Sequence, residues 1–518
     1  MKYSLHTIRV IRVICGMSFS RLIKAESYTK GTVLSVLFNI ISKGILFLLT
    51  IIIARYFGSN IKTDIYFFVF ATMVLFSSFI NNIDTAVLIP ESMRLREKEG
   101  EAPAKGFLNF FLLIYFIIGV LFTVAMYFFG TTVFGWISKF SEADIITYKN
   151  YFWIGSLFFI FHVLTNYLNS ILTSLKYFSL PMVISSVKSC VVIVCIFLLK
   201  ADYDVLSVFI GGLISYAVNL LIQLYVLKQI AGWNFSMKKE IIKKNIWSNI
   251  LYAELGQIAT IASSMFPLYL LSGFGSGVIS VMNYGKNIAD IPNTLITSQF
   301  ANVSGIKLNE QSARNDAAGM NDTFLRLSKL MIFILIPVGC FMYVFAEPMV
   351  LLFYKTEKFD AESVAEAARF LQLLSVTIFS IGVNTMVARL FIATQLMRPA
   401  FIYQVVMNSF LIIAIWVFTK YFGAYGYPYG VILMNAVNFM TMFFVCKKYF
   451  KYIQYDCLLN YTALIMFINI PVAIILFYTI QQSGLFFLTK LLLGCCAYTI
   501  LFLVMNKIKS TRLSESFW

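Results

Sequence analysis

Residues 32–90 read TVLSVLFNIISKGILFLLTIIIARYFGSNIKTDIYFFVFATMVLFSSFINNIDTAVLIP. Two apolar runs, 32–57 and 64–90, flank a short Gly-Ser-Asn break. A hydrocarbon core of about 30 Å takes roughly 20 apolar residues in a helix, so each run is long enough to cross a bilayer and the pair predicts a transmembrane hairpin. Away from the turn, the charge in these runs is Lys43 and Asp84.

The rest of the chain repeats this pattern. Of 518 residues, 60% are hydrophobic, 17% aromatic and 13% charged, with a mean hydropathy of +0.82. Soluble domains carry roughly 25% charged residues, so an ordinary water-soluble enzyme is excluded. Further apolar stretches lie at 106–135, 149–174, 178–199, 204–229, 247–273, 277–303, 324–354, 366–394, 399–420, 424–446, 460–481 and 484–506. The expectation is an all-α integral membrane protein of about fourteen transmembrane helices.

Net charge is +17. In a soluble protein that would suggest nucleic acid; here the charges sort by loop, as the positive-inside rule requires, and no nucleic-acid partner is expected. The N-terminal arm (Arg9, Arg12, Arg21, Lys24, Lys30) is basic. So are the connections after the second span (Arg94, Arg96, Lys98, Lys105), the sixth (Lys228, Lys238, Lys239, Lys243, Lys244), the eighth (Lys307, Arg314), the twelfth (Lys447, Lys448, Lys451) and the tail (Lys507, Lys509, Arg512). Intervening loops are poor in cations or balanced, so both termini are expected in the cytoplasm. The arm lacks an apolar core followed by a cleavage site, which argues against a cleaved signal peptide. Eight cysteines, most within apolar runs, suggest neither a disulfide framework nor a metal site.

Sliding the chain on itself by 217–218 residues superposes landmarks of different kinds. Phe57-Gly58-Ser59 falls on Phe274-Gly275-Ser276, Phe107-Leu108 on Phe324-Leu325, Asn166 on Asn384 and Pro181 on Pro399. A constant offset predicts a duplication of six helices: a basic arm (1–31), an N-lobe (32–230), a linker (231–246), a C-lobe (247–447) and two appended helices with a tail (448–518). Two pseudo-symmetric six-helix lobes would enclose a cavity.

An ionisable group in hydrocarbon costs at least a few kcal/mol, so its position is informative. Lys43 with Asn39 and Ser42 marks the first span, Asp84 with Asn81 and Asn82 the second, Glu254 with Gln257 the seventh. Asn283, Lys286, Asn287, Asp290 and Asn293 form a polar stripe on the eighth. Lys286 and Asp290, at i,i+4, either neutralise one another or line the cavity. Lys43 has no partner in its own helix, which favours a cavity cation, with Asp84 or Glu254 as the alternative partner. Lys188, Lys329, Arg369, Arg389 and Lys490 are expected near span ends, and His162 as a hydrogen-bonded core histidine. With two histidines, no HExxH and no phosphate-binding glycine loop ending in Lys-Ser/Thr, neither metal-dependent hydrolysis nor ATP hydrolysis is expected. Gly273, Gly275 and Gly277 follow no strand and are expected in a turn. A secondary transporter, not an enzyme, remains.

Ile53-Ala54-Arg55-Tyr56-Phe57-Gly58 followed by Thr63-Asp64-Ile65-Tyr66-Phe67-Phe68 resembles the hairpin motif of the MurJ/MviN family, the lipid II flippases of the multidrug/oligosaccharidyl-lipid/polysaccharide (MOP) superfamily. Val281 to Pro292 and Glu347-Pro348 to Phe359 resemble two further family stretches. The resemblance implies a MATE-like fold and alternating access that carries a polyprenyl (undecaprenyl) pyrophosphate-linked glycan across the bacterial inner membrane. It marks Arg55, Gly58 and Asp64 as the motif hairpin. Family cavity arginines correspond here to Lys43, Leu49, Ser77 and Asn287, with Lys286 one residue away. Lysine is the poorer bidentate phosphate ligand, which shifts the expected cargo from lipid II toward an exopolysaccharide or O-antigen repeat unit. On this reading Lys43 and Lys286 contact phosphate, while Asn39, Asn283 and Asn287 meet sugar hydroxyls. Asp84, Glu254 and Asp290 balance charge or couple to H⁺ or Na⁺; membrane potential is the alternative energy source, and no cofactor is implied. The competing expectations are a cation-coupled MATE-type drug exporter, a membrane glycan polymerase, and a transport-inactive scaffold recruiting glycan-assembly enzymes.

Overall fold

The computed structural model describes residues 28–175, 177, 179–235 and 244–507. Arg9, Arg12, Arg21, Lys24, Lys238, Lys239, Lys243, Lys509 and Arg512 of the expected basic segments lie outside the described residues, and Lys30 and Lys244 enter by backbone only.

All regular structure among the described residues is helical. The first half comprises α1 (Tyr28–Phe57), α2 (Ile61–Ile83), α3 (Ile89–Glu99), α4 (Glu101–Ile137), α5 (Glu142–Thr147), α6 (Lys149–Ser156), α7 (Phe158–Ser174), α8 (Leu180–Tyr203) and α9 (Leu206–Tyr225). The second comprises α10 (Lys244–Leu271), α11 (Val278–Ala289), α12 (Ser298–Ala313), α13 (Ala317–Val344), α14 (Ala346–Tyr354), α15 (Ala361–Ser375), α16 (Ile378–Ala393), α17 (Met397–Phe422), α18 (Gly426–Tyr449), α19 (Tyr455–Leu476) and α20 (Phe487–Lys507). One π-helical turn, Asp84–Leu88, joins α2 to α3; another, Asn293–Thr297, leads into α12.

Ten stretches are long and apolar enough to cross a membrane, and an eleventh is α15 with α16, bent by 44° at their junction. One of the ten, Arg398–Tyr449, is 52 residues long and contains both α17 and α18. These two fold back on one another, with Gly430 against Ile415 and Gly426 against Thr419. Length and apolarity therefore do not establish the expected fourteen spans. The seventh and eighth stretches are the two not recovered by length and apolarity among the described residues. In α10 the apolar segment found among the described residues is Gln257–Leu271, and α11 is 12 residues long and ends beside Asp290.

The chain divides into two compact units. The first draws its described residues from Met1–Thr50, Val69–Gly135 and Glu142–Ile258, the second from Ile51–Phe68, Trp136–Ser141 and Ala259–Trp518. In the first, α8 packs along α9 and α9 along α7, with Phe158 and Phe209 stacked at 6.0 Å. In the second, α11 packs on α15, and α13 on α16 and α19. Val344, Phe345, Leu476, Leu491 and Tyr498 form one buried cluster that ties α19 and α20 to the end of α13. Large apolar side chains such as Trp136 (77% exposed) and Phe467 (78%) lie on outer surfaces, as expected where hydrocarbon is the solvent.

Candidate functional site

The motif hairpin Ile51–Phe68 belongs to the second unit, unlike the remainder of α1 and α2. Asn60 starts α2: its side-chain oxygen accepts the amides of Lys62 (2.9 Å) and Thr63 (3.2 Å), while Thr63 Oγ1 accepts the amide of Asn60 (2.9 Å). This reciprocal capping satisfies amides that have no partner inside the helix. It also frees Asp64 to serve a different helix. The Asp64 carboxylate, 1% exposed, accepts the amides of Gly277 (2.6 Å) and Ser280 (2.7 Å) and the hydroxyl of Ser280 (2.6 Å). A buried anion is thus held by the positive end of α11.

The turn preceding Asp64 is equally committed. Gly58 has φ +67°, and a β-carbon there would come within 2.0 Å of the Lys358 carbonyl oxygen, so only glycine fits. Tyr284 donates its hydroxyl to the Gly58 carbonyl (3.0 Å), and the Ser59 and Ser363 hydroxyls are 2.6 Å apart. The Arg55 side chain is exposed, and its carbonyl accepts the Thr356 hydroxyl (3.4 Å). Gly277, with φ +93°, precedes α11, so the glycine triplet is the turn that presents this helix to Asp64.

The expected cavity cations differ in their surroundings. Lys43 is exposed on α1 with no hydrogen-bond or ion-pair partner among the described residues, whereas the adjacent Ser42 is buried and donates to Ser185 (3.1 Å). Neither Asp84 nor Glu254 pairs with Lys43. Lys286 forms an ion pair with Asp290, both half-exposed, and feels the hydroxyl of Tyr427. Asn283 turns its amide onto the Ile279 carbonyl of its own helix (2.9 Å). Asn39 and Asn287 are half-buried.

A third polar group lies in the first unit. Asp84, fully buried, opens the π-helical turn and accepts the Tyr115 hydroxyl from α4 at 2.7 Å. Asn82, two residues back, donates to Glu254 on α10 at 3.3 Å. Tyr115 gave no signal in the sequence, because its hydroxyl lies in an aromatic-rich run whose other members only pack.

Lys188 corrects an expectation. It stands eight residues into α8, about 12 Å from its start, and its ammonium group lies 4.3 Å from the centre of the Tyr216 ring rather than at a membrane interface. His162 is the hydrogen-bonded histidine expected, its Nδ1 2.8 Å from the same tyrosine's hydroxyl. Two apolar grooves border α13. The larger, about 570 Å³, lies between α13, α15 and α19 with Arg369 and Gln372 among its lining residues; the other, about 330 Å³, lies between α13 and α20.

The chain is similar to known proteins along most of its length. Residues 53–496 match the family model described as lipid II flippase MurJ. A probable lipid II flippase MurJ of Buchnera aphidicola (subspecies Acyrthosiphon pisum) is 25% identical over 438 residues, 78% of this chain and 81% of that protein. One from Borreliella burgdorferi is 22% identical over 432 residues, 83% of each. A solved lipid II flippase MurJ in an inward closed conformation superposes with a TM-score of 0.76 at 19% identity, covering 91% of this chain and 99% of that one. An inward-facing MATE multidrug transporter of the MOP superfamily superposes with a TM-score of 0.64 at 18% identity, covering 80% and 96%. The hairpin that closes on α11 lies within the matched region, and with a family match spanning most of its length the chain belongs to the MurJ family of lipid II flippases.

Proposed function

We propose that this protein carries a polyprenyl-pyrophosphate-linked glycan from the inner to the outer leaflet of the bacterial inner membrane by alternating access. The cargo is lipid II, the substrate named for its relatives, or a chemically related repeat unit. The observation that carries this reading is the family match over residues 53–496. The closed hairpin is consistent with a transporter resting in one of two states. Its bonds to α11 and Ser363, and its close packing on the Lys358 backbone, are the contacts a second state would break.

In this reading the lobes are 32–230 and 247–447, joined by the linker 231–246, with both termini and the basic loops on the cytoplasmic side. Lys43 and Lys286 meet the pyrophosphate, whose desolvation requires charge-assisted donors, and Asn39, Asn283 and Asn287 reach sugar hydroxyls. Asp290 holds Lys286 until substrate arrives. The basic loops offer glycan-assembly enzymes a docking surface.

The test is replacement of the resident lipid II flippase in a depletion strain. Restored growth, with lipid II exposed on the outer leaflet, supports lipid II as cargo. Lysis at normal protein level, together with no outward movement of lipid II or of O-antigen-type lipid-linked units in proteoliposomes, would sink the reading.

A further inference from the structure

We propose that Asp84 and Glu254 form a proton-binding carboxyl pair that loads and releases one proton in each transport cycle. This rests on the transport reading above and names the coupling ion that reading leaves open.

The argument begins with unmet bonding. Asp84 is completely buried and makes one hydrogen bond, at Oδ1 from Tyr115; its Oδ2 is buried with no partner. Glu254 is 5% exposed, accepts from Asn82 at Oε1, and its Oε2 is likewise buried without a partner. A carboxylate buried in this way is costly unless several donors or a cation compensate it.

Among the described residues, the surroundings supply neither. From α4, Tyr115 gives its proton to Asp84. From α7, Tyr167 packs edge-on against Tyr115 with ring centroids 4.9 Å apart, but its hydroxyl is spent on the Leu108 carbonyl at 2.8 Å. From α10, Glu254 is the charged group that Asp84 feels, and it is of the same sign. On α3, Glu91 pairs with Arg94 at 2.5 Å and Arg96 with Glu101 at 3.1 Å, and no hydrogen bond or ion pair joins an α3 side chain to Asp84 among the described residues. Two carboxyl groups buried in one polar cluster, linked through Asn82 two residues before Asp84, retain at least one proton, because both cannot ionise in a dry site.

The choice of a proton over a metal cation follows from oxygen count. Hard cations gather about six oxygens. Here two carboxylate oxygens are free, the nearest hydroxyls are committed, and no group of three or more metal-ligating side chains exists among the described residues. A proton needs only one of them. The backbone is consistent with a moving part, since Asp84 opens a π-helical turn, a local irregularity that helices retain mainly at functional positions. If the pair opens to water in the alternate state, the proton leaves and both groups ionise; reburial takes a proton up again.

The experiment uses the full-length protein in lipid nanodiscs, with infrared difference spectra of the protonated-carboxyl C=O band recorded as pH is lowered. The expected result is a band present in the wild type and lost in both Asp84→Asn and Glu254→Gln. It should shift to higher frequency in Tyr115→Phe, which removes the one donor. In proteoliposomes with the membrane potential clamped, one proton per cycle predicts about tenfold accumulation of lipid-linked substrate per unit of pH gradient, falling to none in Asp84→Asn. The proposal is overturned if the band persists unchanged in both carboxyl variants. It is equally overturned if replacing choline by sodium at fixed pH abolishes the band. A normal band with no substrate movement by the wild type supports proton binding and counts against the transport reading alone.

Discussion

The hydroxyls of Thr63 and Ser280 are 2.9 Å apart in space and 217 residues apart in the chain. That separation is the offset at which the sequence superposes on itself. Gly277 lies against the Ser59 carbonyl at the neighbouring offset of 218. A duplication at that offset would bring equivalent residues together near the axis relating the copies, and Thr63 with Ser280 has that separation. The contact is one-sided: Asp64 carries the carboxylate, and the residue 217 positions on is Val281.

Asp64→Ala should therefore destabilise the protein strongly. The start of α11 loses three acceptor contacts, and hydrogen bonds to charged groups contribute roughly 1.5–3 kcal/mol each, though not additively. Ser280→Ala removes one of them and should cost about 1 kcal/mol. Thermal unfolding in detergent distinguishes the two, and equal melting temperatures for Asp64→Ala and wild type would refute the capping role.

Paired cysteines at Ser59 and Ser363 should crosslink, because the native hydroxyls are 2.6 Å apart. If transport requires the hairpin to leave this position, oxidation arrests flipping and reduction restores it. Full transport by the oxidised protein would show that the hairpin stays closed throughout the cycle.

Lys43→Ala should abolish flipping while leaving folding intact, since Lys43 makes no bond that its loss would orphan. Lys43→Arg should retain activity because charge is preserved. Lys286 needs a double variant, as Lys286→Ala alone leaves Asp290 without its cation. Recovery of transport in Lys286→Ala/Asp290→Ala identifies a structural counter-ion, whereas continued loss indicates substrate contact.

Asp360 offers a pH test outside the membrane spans. It caps α15 by accepting the Ser363 amide at 2.9 Å, and those bonds to Ser363 hold its carboxyl below the usual range. Its contribution is complete at neutral pH, above the ordinary carboxyl pKa, and disappears as pH falls through the lower folded value. Asp360→Ala should cost about 1 kcal/mol at neutral pH and nothing in strong acid. An equal loss at both extremes would remove the carboxylate from the argument.

Much of the fold was legible because span length and apolarity are local properties. The Lys286–Asp290 pair was legible from i,i+4 spacing, and the hairpin from its motif. The partners of Asp84 were not, because Tyr115 lies 31 residues away on a separate helix and nothing in its own run distinguishes a bonded hydroxyl from a packed ring. Lys188 was misread for the same reason: a cation in an apolar run was assigned to the nearest interface, when it rests on an aromatic ring of the next helix. The count of fourteen is not established at α10 and α11, the two stretches in which the sequence places its polar residues.

The polarity of α10 and α11 also bears on how the chain enters the bilayer. A segment with Asp, Glu or Lys at mid-depth carries a penalty of roughly 2.5–3.5 kcal/mol per charge when it partitions alone. The Lys286–Asp290 pair reduces that penalty within α11, but Glu254 finds its partner, Asn82, on a helix synthesised far earlier. The expectation for biogenesis is that α2 stays beside the insertion site until α10 emerges, so that α10 is threaded against polypeptide already in place; a chain truncated before α10 and one extended past it should then differ in crosslinking of α2 to the insertion machinery.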